Sequence, residues 1–306
     1  MNKSKCPVCG SQHTIKYGLR AGIQTYKCAD CGHRFRNSKL PPDLDLWKMY
    51  QEGKQTVAEL AASLGTSPST VKRRLRRIVV EWEQPPLSGH GFVHVDATYW
   101  GRNDGILAAV DCRTGKALYL AFIKHERVSD YQDAVISITG RGYVIDGIVV
   151  DGIQALFSLF SAYKLQMCQF HMKQIVRRYI TLNPRLLAAR GLNRLLAELT
   201  RMPEEHFLRE YTAWKEAWKA VLNKRSQLKD GRTRYRHRRL RSAVRSIDFY
   251  LPYLFTFQEP GCEGMPNTNN KIEGVFSDLK KNLNNHCGMN EINRKRFIRG
   301  FFKALE

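Results

Sequence analysis

Apolar and polar positions follow three different rhythms along this chain. Around Ile15–Tyr17 and Thr25–Lys27 they alternate in short stretches, the period of small β-strands. From Leu44 to Ile78 the period is helical, and it predicts three helices over Leu44–Gln51, Thr56–Leu64 and Ser69–Ile78. Thr56 stands at the second helix's N-cap with Glu59 three residues on, a capping-box spacing. Gly65-Thr66-Ser67 makes a turn, and Pro68 suits the first helical position after it. The stretch from Gln84 to Gly91, rich in proline and glycine, reads as a linker.

From Gly91 to Lys173 apolar strands alternate with helices. Strands are predicted over Phe92–Asp96, Gly105–Asp111, Ala117–Ile123, Ile145–Asp151 and Leu165–Cys168, with helices over Val128–Thr139 and Ile153–Tyr163. Arg113-Thr114-Gly115-Lys116 is the turn between the second and third strands. Beyond it, about 172–260 reads as mostly helical: leucines recur at helical spacing over Leu186–Leu199, and Trp214 and Trp218 share a face of Tyr211–Leu222. The architecture expected is α/β, with residues 1–40, 41–84 and 91–306 as three domains and a helical insertion in the third.

Charge sharpens this outline. The 306 residues carry 50 lysines and arginines against 28 aspartates and glutamates, a formal net charge of +22, which suits a polyanionic partner. The excess is clustered. Lys72, Arg73, Arg74, Arg76 and Arg77 flank the apolar stripe of Val71, Leu75 and Ile78. With the turn before it, that helix has the pattern of a helix-turn-helix groove reader, the alternative being a helical hairpin with a solvated basic face. Lys224–Arg245 holds ten lysines and arginines against one acid, Arg234, Arg236, Arg238 and Arg239 among them, a density that would neutralise several phosphates. No apolar run approaches the length of a membrane helix, and the first residues hold no signal-peptide core, so no membrane partner and a cytoplasmic location are expected.

Cys6-Pro-Val-Cys9-Gly and Cys28-Ala-Asp-Cys31-Gly are two Cys-x-x-Cys turns separated by 18 residues. They deliver four thiolates to one point, the donor set of a structural Zn2+ in a zinc ribbon; two disulfides or a redox pair are the alternative. Asp96 and Asp151 end apolar strands, and Glu273 follows far downstream on a predicted helix. Each has a plain reading: Asp96 as a strand terminator, Asp151-Gly as a turn, Glu273 as a cap three residues after Asn270. Together and in this order they suit a ribonuclease-H-like fold that gathers three carboxylates around two Mg2+ ions, or Mn2+ in their place, for phosphodiester chemistry. Asp104, Asp111 and Asp146 are competing carboxylates. Cys168 and His171 do not complete a zinc site, and a packed cysteine with a satisfied histidine is an open alternative to a role beside the carboxylates.

The strings His94-Val-Asp96-Ala-Thr, Val-Asp151-Gly, Cys168-Gln-Phe-His171, Asn269-Asn270-Lys-Ile-Glu273-Gly and Leu283-x-x-His286-x-Gly288-Met289 resemble the DDE transposases of the Mutator-like superfamily, in the bacterial insertion-sequence branch with an N-terminal zinc ribbon. The resemblance implies a ribonuclease-H-like catalytic domain with Asp96, Asp151 and Glu273 as catalytic metal ligands and Cys168, His171 and Asn270 in support. It further implies metal-dependent cleavage at element ends and strand transfer into target DNA, by a homodimer or higher oligomer associated with the bacterial nucleoid. A non-catalytic DNA-binding regulator derived from such an enzyme, or a nuclease on the same fold, are the competing expectations.

Overall fold

The computed structural model describes residues 5–20, 23–36, 41–80, 82, 84–228 and 230–305. The chain forms two compact units, Met1–Glu83 with Phe276–Glu306, and Gln84–Val275. The expected third domain, 91–306, therefore differs from the observed division in its last thirty or so residues.

The first unit opens with an antiparallel three-stranded sheet, β1 (Thr14–Arg20), β2 (Ile23–Cys28) and β3 (Arg34–Arg36), in that order. Its interior is small: Cys6, Cys28 and Phe35, with Tyr26 against them. Three helices follow, α1 (Asp43–Gln51), α2 (Val57–Ser63) and α3 (Pro68–Leu75). The capping box at Thr56 and Glu59 is formed on both sides, and Ser67 caps α3 through the Thr70 N–H. Such caps typically contribute about 1 kcal/mol each.

The second unit is built on a five-stranded mixed sheet. Its strands are β4 (His90–Tyr99), β5 (Gly105–Asp111), β6 (Ala117–Ile123), β7 (Val144–Val150) and β8 (Lys164–Met167), with α4 (Val128–Gly140) between β6 and β7 and α5 (Gln154–Leu159) between β7 and β8. The order across the sheet is β6-β5-β4-β7-β8; the first three are antiparallel neighbours, and β7 and β8 run parallel to β4. β5 is buried at every position, as a strand inside a covered sheet must be. After β8 come α6 (Gln169–Ile180), α7 (Leu187–Ala197), α8 (Glu204–Ala217), α9 (Lys219–Asn223) and α10 (Arg238–Tyr250). The basic run expected as one surface segment contains a small antiparallel hairpin, β9 (Arg225–Gln227) with β10 (Thr233–Tyr235), ahead of α10. One large core joins the sheet, α4 and these helices; Trp214 is buried in it and Trp218 lies at its margin.

Two helices close the chain. α11 (Asn270–Asn285) begins in the second unit, and its distal part lies in the first with α12 (Glu291–Lys303). Within the first unit Phe297 of α12 enters the core of Leu46, Trp47, Tyr50, Leu60, Val71 and Leu75. Gly300 allows α12 to come this close to α1: a Cβ there would stand 2.6 Å from Gln51 Oε1 and 2.9 Å from a Trp47 ring carbon. Among the described residues no helix is long and apolar enough to cross a membrane.

Candidate functional site

The four cysteines lie as their spacing requires. Cys6 Sγ is 3.5 Å from Cys31 Sγ, and Cys9 Sγ is 3.6 Å from Cys28 Sγ. All four sulfurs fall within 4.8 Å of one another, and no disulfide joins them. Four thiolates on a tetrahedral zinc, each at about 2.3 Å, would be separated by roughly 3.8 Å, so the set fits that ion. Gly10 and Gly32 end the two turns with φ of 74° and 71°, a left-handed conformation that glycine adopts at little cost. Their N–H groups donate to the Cys6 and Cys28 carbonyls and close each knuckle. The Cys28 thiol is held down to about 7, chiefly by the backbone N–H of Cys31, while burial and the neighbouring thiols raise Cys9 and push Cys31 up to about 12, as four thiols at one point must behave when no cation is among them.

The carboxylates lie where the parallel pairing of β4 with β7 runs out. Asp96 does not close its strand: β4 runs on to Tyr99, and Asp96 pairs with Ala108 in its middle. Ala97, Thr98 and Tyr99 keep their partners on β5, so a charged residue interrupts the apolar pattern without ending the ladder. Asp151 follows the last residue of β7. The register of β4 on β7 pairs His94 with Val149; continued two residues, to 96 and 151, it sets Asp96 beside Asp151. Neighbouring strands lie about 4.8 Å apart, and the period of two points both side chains to one face.

That proximity shows in their ionisation. Burial and then the neighbouring charge of Asp151 push the Asp96 carboxyl up to about 8, with Glu126 and Glu273 adding to the effect. Asp151 is likewise raised by burial, with His171 opposing the shift, and its Oδ1 has no hydrogen-bond partner. Gly152 lets the chain turn away immediately: a Cβ there would stand 2.3 Å from Ile175 Cδ1 of α6.

Glu273 lies in the first turn of α11, its Oε1 3.7 Å from His171 Nε2. Cys168 precedes α6, and its sulfur accepts the Asn269 N–H at 3.3 Å. The Cys-x-x-His pair thus joins the start of α6 to the start of α11, and His171 lies close to both Asp151 and Glu273. Asn270 takes no such part. It is exposed, while the preceding Asn269 is fully buried, its side chain set against the buried His94 imidazole. Asp111 serves its turn, accepting from Thr114 N–H, Thr114 Oγ1 and Tyr143 Oη, and Asp146 meets His90 Nδ1 at 2.6 Å.

One member of the cluster escaped the reading of the sequence. Glu126, between β6 and α4, accepts a hydrogen bond from the buried Tyr131 hydroxyl; burial raises its carboxyl, and Asp151 and Asp130 raise it further. Nothing in Lys124-His-Glu-Arg127 marks it; only the fold brings it to Asp96. Among the described residues, the cysteines are the one set of three or more metal-ligating groups within 4.8 Å of one another. The three expected carboxylates are spread more widely than that. Cys262 is buried beside Val149 and Met265, and Cys287 is exposed.

The basic residues divide. On α3 and just after it Lys72, Arg73, Arg76 and Arg77 are exposed. Arg74 is not part of that row: it is 9% exposed, its Nε bonds Asp43 and its guanidinium also reaches the Pro41 carbonyl. It lies three residues after Val71, on the flank of the apolar stripe, where a long cation must turn inward to a partner. In the insertion Arg234, Arg236, Arg238 and Arg239 are all exposed. Arg225 and Arg241 cover the Tyr235 ring at 4.7 and 3.6 Å and brace the hairpin on α10. Arg236, Arg238 and Arg239 line a cavity of about 550 Å3 together with Tyr179 and Arg185. No protein-family model matches the chain, and no curated protein does.

Proposed function

We propose that this chain is a DDE transposase of the Mutator-like superfamily, with a ribonuclease-H-like catalytic domain that cuts element ends and joins them to target DNA. The observation that carries the reading is the nearness of Asp96, on β4, to Asp151, just after β7, where the parallel pairing of the two strands ends. A pair of half-buried carboxylates side by side is costly unless protons or cations neutralise it. The strand order β6-β5-β4-β7-β8, three antiparallel strands followed by two parallel ones, supports the same reading. So does Glu273, held at the rim near His171.

In this reading Asp96, Asp151 and Glu273 hold two Mg2+ ions, or Mn2+ in their place. Ions held there would supply activation of the attacking oxygen and stabilisation of the leaving one. His171 orients Glu273, Cys168 anchors the turn that leads into α11, and Glu126 adds negative charge beside Asp96. The exposed Lys72, Arg73, Arg76 and Arg77 contact duplex DNA at the element ends, and the arginines of the insertion contact phosphates of ends or target. The partner is double-stranded DNA, bound by a homodimer or higher oligomer in the bacterial nucleoid. Strand cleavage on DNA carrying the element's ends, in wild type and carboxylate variants, tests the proposal. A regulator would bind those ends and cleave nothing; a nuclease would cleave without transferring strands.

A further inference from the structure

Within the first unit a cavity of about 400 Å3 opens between the basic helix α3 and the turn joining α11 to α12. Three of its lining groups are cations: Lys72 and Arg76 from the end of α3, and Arg296 from α12. Among the described residues no aspartate or glutamate lines it. The carboxylate nearest in effect, Glu59, is committed to its cap, accepting from Thr56 N–H at 2.8 Å and Thr56 Oγ1 at 2.9 Å.

Two groups in the wall are poorly satisfied. His286 is 5% exposed, lies against the Tyr50 ring at 4.1 Å between centroids, and has no hydrogen-bond partner at Nε2. Arg296 gives one N–H to the Ile78 carbonyl at 3.3 Å and stands 5.3 Å over the Trp47 ring, yet its buried Nε has no partner. Burial works against its charge, and the charge of Arg76 does so further. Converging cations with unspent donors and no acid are the inverse of the carboxylate cluster: the missing component is an anion.

We propose that this cavity is an anion site that takes a phosphate group, held by Lys72, Arg76 and Arg296 with the His286 imidazole in its wall. A guanidinium fork matches the oxygens of a phosphate in two-point contact, and a tetrahedral oxyanion has enough acceptors for all three cations. The cavity is larger than one phosphate and admits the sugar or chain attached to it. The phosphate can come from a DNA backbone or from free phosphate and its monoesters. Only the first source rests on the proposed function.

The test uses the full-length, zinc-loaded protein labelled with 15N-histidine. Inorganic phosphate is titrated in while the His286 imidazole signal is followed, with chloride at equal ionic strength as control. The expected result is a saturable shift with phosphate and none with chloride, weakened about tenfold in both Arg296→Gln and Arg76→Gln, the loss of one charge-assisted contact. Arg76 is exposed, so its variant reports even where Arg296→Gln fails to fold. No saturable shift in wild type, or equal affinity in wild type and a folded variant, overturns the site. A short duplex is then added in place of phosphate. A His286 shift that inorganic phosphate competes away identifies the DNA backbone as the source. A duplex that binds without moving His286 assigns the site to free phosphate or its monoesters. A duplex that does not bind counts against the proposed function and leaves the phosphate titration standing.

Discussion

His171 Nε2 stands 3.7 Å from Glu273 Oε1, although the two are separated by the whole helical insertion. The histidine reaches it from the first turn of α6, and the same turn receives the Asn269 N–H on the Cys168 sulfur. Two residues of one short motif thereby fix where α11 starts and where its carboxylate points.

Removing that orientation is expected to weaken catalysis without unfolding the chain. Partners that orient metal ligands typically account for about 10–100-fold in affinity or activity. His171→Ala should lower magnesium-dependent cleavage by that order and leave duplex binding unchanged, measured by cleavage rate and by fluorescence anisotropy. Wild-type cleavage in the variant would mean that Glu273 needs no such support.

The four-cysteine cluster predicts one zinc per chain, bound through Cys6, Cys9, Cys28 and Cys31. Cys28→Ser should release it, because three thiolates leave an open position and Cys28 is fully buried between the strands. Metal analysis of the purified wild type and variant checks this; zinc retained in the variant contradicts the assignment.

Arg74 and Arg73 are adjacent in sequence and opposite in role. Arg74→Ala leaves Asp43, 4% exposed, without its cation, and such a loss commonly costs about 3–5 kcal/mol. Arg73→Ala should change stability little and weaken duplex binding, with a shallower dependence on salt. Chemical denaturation and salt-titrated binding separate the two. Equal stability in both variants would return Arg74 to the exposed row.

The raised Asp96 carboxyl makes a signed prediction. In the folded chain it binds its proton up to about pH 8, and in the unfolded chain only to its ordinary value of 3.8. Between these the folded state binds more protons, so metal-free stability should fall as pH rises through that window. The effect is of the order of a few kcal/mol. Asp96→Asn should flatten the fall, and magnesium should restore stability at pH 8 in wild type more than in the variant. Thermal melts at pH 5 and pH 8 measure it; a pH-independent difference between the two proteins would place Asp96 in water.

Much of this was legible in the sequence because it was local. The cysteine spacing, the Thr56–Glu59 cap and the alternating apolar segments each announce their own geometry. What the sequence hid was tertiary. Asp96 reads as a strand end because a carboxylate is rare inside a buried ladder, yet β5 carries the pairing past it. Glu126 joins the cluster only through the turn between β6 and α4, and Arg74 faces inward only because Asp43 is there to meet it. Of the two adjacent asparagines before Glu273, burial singles out Asn269, and no local signal distinguishes it from Asn270. The membership of α12 in the first unit rests on Phe297 meeting Trp47 and Tyr50, a contact between residues 250 apart and 247 apart in the chain.

The central claim is that Asp96, Asp151 and Glu273 hold the metal ions that break and join DNA. Its most direct measurement is cleavage and strand transfer on end-bearing DNA with magnesium, in Asp96→Asn, Asp151→Asn and Glu273→Gln, with duplex binding followed alongside. Asp111→Asn serves as the control, since Asp111 is occupied by Thr114 and Tyr143. The account predicts that each of the three variants loses both reactions, by about a thousandfold or more, while binding stays within a few-fold of wild type and the control keeps its activity. Near-wild-type cleavage in any of the three, or a wild type that binds the ends tightly and cleaves with neither magnesium nor manganese, would contradict it.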